Sequence, residues 1–162
     1  MNLEPIAYFS RVSDIPLEML ESKGVGTLVV DVDNTLMPYD QDVIPDDIAQ
    51  WMRQAKKHFI IVVISNTKPY RAKLIRETLH VPAYGMCMKP LPISWFILRK
   101  CVPKDKPAVV IGDQFFTDGL YAKWNNLEFI KVEPLSPKDA AHTKVTRWLE
   151  KILFTTKAKP SH

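Results

Sequence analysis

Four short apolar runs punctuate the chain: Thr27-Leu28-Val29-Val30, Ile60 to Ile64, Ala108 to Ile111, and Phe129 to Val132. The first three run without apolar–polar alternation, the pattern of strands buried on both faces of a parallel sheet. Between them the periodicity becomes helical. After Pro45, the residues Ile48, Trp51, Met52 and Ala55 recur at i, i+3, i+4 and i+7, with Lys56 and Lys57 near the end where a helix dipole favours cations. Pro69 to Leu79 is a second predicted helix with Ala72, Ile75 and Leu79 inward. Pro92 to Cys101 is a third, Thr117 to Trp124 a short fourth, and Lys138 to Phe154 a fifth. Strands alternating with helices predict right-handed βαβ units, hence a Rossmann-like three-layer α/β fold on a mainly parallel sheet.

Length and composition fit that picture and narrow it. A chain of 162 residues suits one domain over 1–162, with the polar tail 155–162 expected to fray. Hydrophobic residues at 46% and charged residues at 25% are the balance of a globular protein. The two cysteines, Cys87 and Cys101, form no CxxC pair, which excludes a disulfide framework or structural zinc site and fits a reducing, cytoplasmic setting. No segment reaches the ~18 apolar residues of a membrane span. The start, Met-Asn-Leu-Glu-Pro, lacks the basic flank and apolar stretch of a secretory signal. A net charge of +4 gives a mild preference for anionic partners.

Three of the apolar runs end in polar residues. Ligands of open α/β sheets bind at the carboxyl ends of strands, and here those ends carry Asp31, Ser65 and Asp113. In Asp31-Val32-Asp33-Asn34-Thr35-Leu36, residues two apart on extended chain point the same way, so both carboxylates can face one site. Two acids there repel unless one is protonated or a cation sits between them, and oxygen-only surroundings suit magnesium. Asp and Asn are also ordinary turn residues after a strand. The Ser65 hydroxyl and the neighbouring N–H groups, including that of Asn66, can bind a phosphoryl oxygen near the start of a helix, or can simply cap it. Asp118 either joins Asp113 as an acid pair or complements the dipole of the following helix. His58, His80, His142 and His162 show no ligand spacing.

The Asp31 motif resembles the signature of the haloacid-dehalogenase (HAD) superfamily, DxDx(T/V)(L/V) after the first strand. The resemblance implies that Asp31 is the nucleophile and Asp33 the general acid and base, with a covalent aspartyl-phosphate between two half-reactions. It implies a phosphate-binding role for Ser65 and Asn66, and for Lys89 in Lys89-Pro90 a counter-charge to nucleophile and phosphate. It also implies Mg2+ held by Asp31, Asp33, Asp113 and Asp118, the last directly or through water. The intervals Asp33–Ser65 and Asn66–Lys89 each have room for one helix but not for the cap domain of larger HAD enzymes. An open site suits a bulky substrate unless a neighbouring subunit covers it.

Segments around Gly24-Val25, Val63-Ile64-Ser65-Asn66, Lys89-Pro90 and Val110-Ile111-Gly112-Asp113-Gln114, with Thr117-Asp118, are similar to the small YqeG-type phosphatases, relatives of the mitochondrial phosphatidylglycerophosphate phosphatase. That similarity implies an anionic phosphorylated lipid as substrate, peripheral contact with the inner face of an anionic membrane, and no nucleic-acid partner; it leaves oligomeric state open. Val145 to Phe154 mixes Trp, Leu and Phe with Arg and Lys as interfacial helices do, or else packs on the sheet. Tyr8-Phe9 and Phe115-Phe116 are likewise lipid contacts or core. The alternatives are a phosphatase of the same mechanism for a soluble phosphomonoester, and a non-catalytic phosphoryl-binding protein.

Overall fold

A computed structural model describes residues 3–91 and 94–138. The predicted helix from Lys138 to Phe154, with its Val145–Phe154 stretch, and the tail 155–162 lie outside these residues, save Lys138 itself. The strands are β1 (Ala7–Phe9), β2 (Thr27–Val30), β3 (Ile60–Ile64), β4 (Ala83–Tyr84), β5 (Ala108–Gly112) and β6 (Glu128–Val132). The helices are α1 (Leu17–Ser22), α2 (Asp46–Ala55), α3 (Pro69–Leu79), α4 (Trp95–Cys101) and α5 (Leu120–Trp124), with a π-helical turn, Phe115–Gly119, leading into α5. All six strands pair in parallel, in the order β1-β6-β5-β2-β3-β4.

Every residue of β2 is buried, which is why Thr27–Val30 shows no polar alternation. Its side chains still divide between two cores. Leu28 and Val30 join Val63, Val109 and Ile111 against the inward rows of α2 and α3, among them Trp51, Met52, Ala72 and Ile75. Val29 points the other way, with Val62, Ile64 and Val110, onto Leu98 of α4 and Tyr121 and Ala122 of α5. The result is three layers, helices on both faces of the sheet. α2 is tied down further by Trp51, whose indole N–H donates to the Ile15 carbonyl at 2.8 Å. Lys56, just past α2, donates through Nζ to the carbonyls of Leu79 and His80 and so satisfies the end of α3.

From β2 the chain winds through β3 and β4 to one edge, then crosses back to β5 and β6, and the N-terminal β1 pairs outside β6 at the other edge. The switch point therefore lies between β2 and β5, where loops leave the carboxyl ends in opposite directions and open a crevice. β1, β4 and α1 are absent from the sequence reading; the strands are three and two residues long, too short for periodicity to register. Phe9 and Phe115 pack against the two cores, and Phe115 lies 6.4 Å from the Tyr8 ring and 6.1 Å from that of Phe129. Packing is the role seen for Phe9 and Phe115, both partly buried. No described helix is long and apolar enough to cross a membrane.

Candidate active site

Asp31 is the first residue after β2, its N–H bonded to the Ile111 carbonyl of β5 at 3.0 Å. Asp113 directly follows β5 and is fully buried. The π-helical turn then folds Asp118 back over the end of β5, where its carboxylate accepts the Gln114 N–H at 3.2 Å. This approach requires glycine at 112, since a Cβ there would overlap the Asp118 carboxyl. One carboxylate oxygen from each of Asp31, Asp113 and Asp118 lies within 4.8 Å of the others, and all three residues are buried.

Lys89 enters this cluster from the β4–α4 segment. Its Nζ donates to Asp31 Oδ1 at 3.0 Å and to Asp118 Oδ1 at 2.5 Å. Burial works against the ammonium, but Asp118 and Asp31 outweigh it, so the Lys89 pKa is raised and the side chain stays charged. Burial, and then the charge of Asp31, push Asp118 up to about 6 despite the ion pair. Three carboxylates facing one ammonium leave this buried cluster short of positive charge. The donors are all hard oxygens, with no imidazole or thiolate among them, and so fit a divalent cation of the magnesium type. Asp31, Asp113 and Asp118 are the residues that would hold it.

Asp33 sits differently from the expectation that it would join the metal ligands. Its carboxylate is not one of the three clustered acids; Oδ1 accepts from Thr67 Oγ1 and from Arg71 Nε, each at 2.9 Å. β2 has already ended at Val30, and Asn34 adopts a left-handed φ of 60°, so the two-residue alternation of a strand does not carry through Asp33. The two acids nevertheless sense each other. Burial, then the charge of Asp31, raise the Asp33 pKa, against the opposing effects of Thr67 and Arg71. A carboxyl whose pKa is raised by burial and by the charge of Asp31 is suited to proton transfer at this site.

Ser65 and Asn66 follow β3, as expected, but divide the labour. Ser65 is buried, and its Oγ accepts the Thr67 N–H at 3.1 Å, which leaves the hydroxyl proton to donate. Asn66 turns to Lys89: its Nδ2 donates to the Lys89 carbonyl at 2.8 Å and its Oδ1 accepts the Lys89 N–H at 2.6 Å. Its amide thus fixes the main chain that carries the cationic side chain, rather than facing the crevice. Neither residue caps α3, whose N-cap is Lys68.

Thr67 and Arg71 are the residues that sequence reasoning missed. Arg71 is 4% exposed, and its guanidinium donates to Asp33, Asp42, and the carbonyls of Pro38 and Gln41. It therefore joins α3 to the loop beyond β2 and orients Asp33. A signal existed: Arg71, Ile75 and Leu79 share one row of α3, and an Arg on an apolar row needs a buried acid.

Comparison with known proteins places this site in context. The family described as mitochondrial PGP phosphatase matches residues 2–126. A probable phosphatase, YqeG, from Bacillus subtilis is 28% identical over 160 residues, covering 98% of this chain and 93% of its own. The mitochondrial phosphatidylglycerophosphatase GEP4 of Saccharomyces cerevisiae is 27% identical over 134 residues, covering 74% of this chain and 71% of its own. Among solved structures, a predicted HAD-like family hydrolase from Porphyromonas gingivalis aligns with a TM-score of 0.58 at 11% identity, covering 76% of this chain and 98% of its own. An uncharacterized protein from Listeria monocytogenes serotype 4b aligns at 0.53 and 15% identity, covering 72% and 85% respectively. These two likenesses bear on the fold alone.

Proposed function

Since the chain belongs to the mitochondrial PGP phosphatase family, phosphatases of the HAD superfamily, we propose that it converts phosphatidylglycerophosphate to phosphatidylglycerol in a Mg2+-dependent reaction. The observation that carries this reading is the Asp31, Asp113, Asp118 and Lys89 cluster at the carboxyl ends of β2 and β5. Asp31 attacks phosphorus: an Oδ–P bond forms as the bond from phosphorus to the glycerol oxygen breaks. Asp33, oriented by Thr67 and Arg71, gives its proton to that leaving oxygen. Water then attacks the aspartyl-phosphate while Asp33 takes a proton from it; the Oδ–P bond breaks and Asp31 is restored.

Phosphoryl transfer is mostly positioning and charge neutralisation, and the residues here divide that work. Lys89 stays cationic between Asp31 and Asp118, held in place by Asn66. The Ser65 hydroxyl and the N–H groups near the start of α3 take phosphoryl oxygens. A bound Mg2+ would neutralise charge between the carboxylates and the phosphoryl group. With one helix in each interval where a cap would be inserted, the crevice is open to a headgroup presented by a membrane, which the chain would visit from the cytoplasmic side.

The test is phosphate release from phosphatidylglycerophosphate in mixed micelles, with and without magnesium, beside a panel of soluble phosphomonoesters. Magnesium-dependent release from the lipid, reduced to background in Asp31→Asn, is the expected result. Release confined to a soluble ester would discard the lipid substrate while keeping the mechanism; full activity in Asp31→Asn would discard the mechanism.

A further inference from the structure

The segment that delivers Lys89 to the site has an unusual outer face. Residues 86–89 alternate strictly: Met86 is 65% exposed, Cys87 buried, Met88 55% exposed and Lys89 buried. Met86 and Met88 hold left-handed φ angles of 55° and 56°, a conformation unfavourable to residues other than glycine, and their side chains are turned to solvent. The strand end is fixed from below, since the Met86 N–H donates to the Thr67 carbonyl and the Cys87 N–H to that of Ser65. The Leu91 N–H closes a turn onto the Met88 carbonyl, and Leu91 is exposed as well. Phe96, in the first turn of α4, is 70% exposed. Tyr84, Met86, Met88, Leu91 and Phe96 thus gather large exposed apolar side chains into one short stretch around a catalytic lysine.

The charges within this stretch of chain are of one sign. Tyr84 to Lys104 contains Lys89, Arg99, Lys100 and Lys104 and no acid. Arg99 and Lys100 fall three and four residues after Phe96, on its side of α4, and both are exposed. Arg99 stacks on the Trp95 ring at 3.3 Å, which restrains its charge on α4 one residue from Phe96. Exposed Lys68 precedes α3, and its main chain lies against Gly85, next to Met86. Flexible or aromatic apolar side chains bordered by cations are the composition of surfaces that lie in the headgroup boundary of an anionic bilayer.

We propose that this β4–α4 face is a membrane-docking surface, in which Met86, Met88, Leu91 and Phe96 enter the interface and Lys68, Arg99 and Lys100 meet anionic headgroups. The inference rests on the lipid-phosphatase reading and deepens it. Lys89 is flanked on both sides by docking residues, so the segment that contacts the bilayer also carries the cation that faces the substrate phosphate.

The measurement is co-flotation of the full chain with vesicles of phosphatidylcholine containing phosphatidylserine, and with phosphatidylcholine alone. We expect retention on the anionic vesicles, weakened by salt, and at least about tenfold weaker binding for the variant Met86→Asn, Met88→Asn, Phe96→Ser. Asn tolerates the left-handed region, so a melting curve close to that of the parent chain accompanies the loss. Should that variant fail to fold, Arg99→Glu with Lys100→Glu, at two exposed positions, must lower retention instead. Equal retention of the folded variants overturns the proposal, as does a parent chain that ignores anionic vesicles or that pairs with itself through this face. Because flotation needs no turnover, binding without lipid hydrolysis would condemn the substrate assignment alone, and lipid hydrolysis in micelles without vesicle binding would condemn the docking surface alone.

Discussion

Replacing Asp118 with Asn should stabilise the metal-free protein while removing most of its response to magnesium. Asp118 is fully buried between Lys89 and two other acids, and its pKa is raised from 3.8 to about 6, by burial first and the charge of Asp31 second. At about 1.36 kcal/mol per pH unit, keeping this group ionised costs the folded state about 3 kcal/mol. Below pH 4 the folded and unfolded chains both hold the proton and the cost vanishes. From about pH 4 to 6 only the folded chain holds it, so stability falls as pH rises; above 6 the cost is fully developed. Asn fills the same volume above Gly112, can still accept the Gln114 N–H, and leaves Lys89 paired with Asp31. At 2–4 °C per kcal/mol for a chain of this size, the variant should melt roughly 6–12 °C above the parent at pH 7 in chelator. The gap should close toward pH 4. Adding magnesium should raise the parent's melting temperature by mass action and the variant's much less. Calorimetry across pH 4–7, with chelator and with magnesium, reads all three. A variant less stable than the parent at pH 7 in chelator would refute the argument that the cluster is short of positive charge.

Three other substitutions test the supporting residues. Asp33→Asn should lower kcat by about 10²–10⁴-fold, most severely for esters with basic leaving groups, in steady-state assays across a leaving-group series. Asn66→Ala removes both hydrogen bonds that hold the Lys89 main chain and should reduce kcat by about tenfold or more, with Asn66→Asp, which can still accept the Lys89 N–H, falling between. Arg71→Met leaves Asp33 with Thr67 alone as donor and two loop carbonyls with none from α3; with the Asp33 and Asp42 side chains 27% and 52% exposed, the low end of the buried-pair range applies, about 3 kcal/mol, or a melting temperature roughly 6 °C or more lower.

What could be read from the chain depended on whether the signal was local. β2, β3 and β5 were visible because each is a continuous apolar run, and the residues closing them, Asp31, Ser65 and Asp113, follow directly in sequence. Asp118 was within reach because only a turn separates it from β5. Asp33 illustrates the limit. Alternation assigns its side chain to the direction of Asp31, but β2 stops first, and the carboxylate is drawn to Thr67, just before α3, and to Arg71 in its first turn. The side-chain role of Asn66 was out of reach, since its bonds to Lys89 span 23 positions and leave no trace in local spacing. β1 was hidden because three residues are too few for periodicity, and its partner lies far along the chain, Ala7 pairing with Ile130 of β6.

That strand order also fixes when the site can come into being. Thr27 of β2 pairs with Ile60 as soon as β3 emerges, but its other edge waits for Ala108, and the site needs Lys89 and Asp118 from either side of that strand. A chain leaving the ribosome therefore exposes one open edge of its innermost strand for much of its synthesis, a target for wrong pairing in the interval. Asp31 is made early and stays idle until its neighbours exist. β1, the first strand synthesised, is the last that can dock, because β6 must form before it has a partner. Among the described strands β1 is thus the final closure of the sheet, and the rate of folding should be governed by these long-separated pairings rather than by its helices.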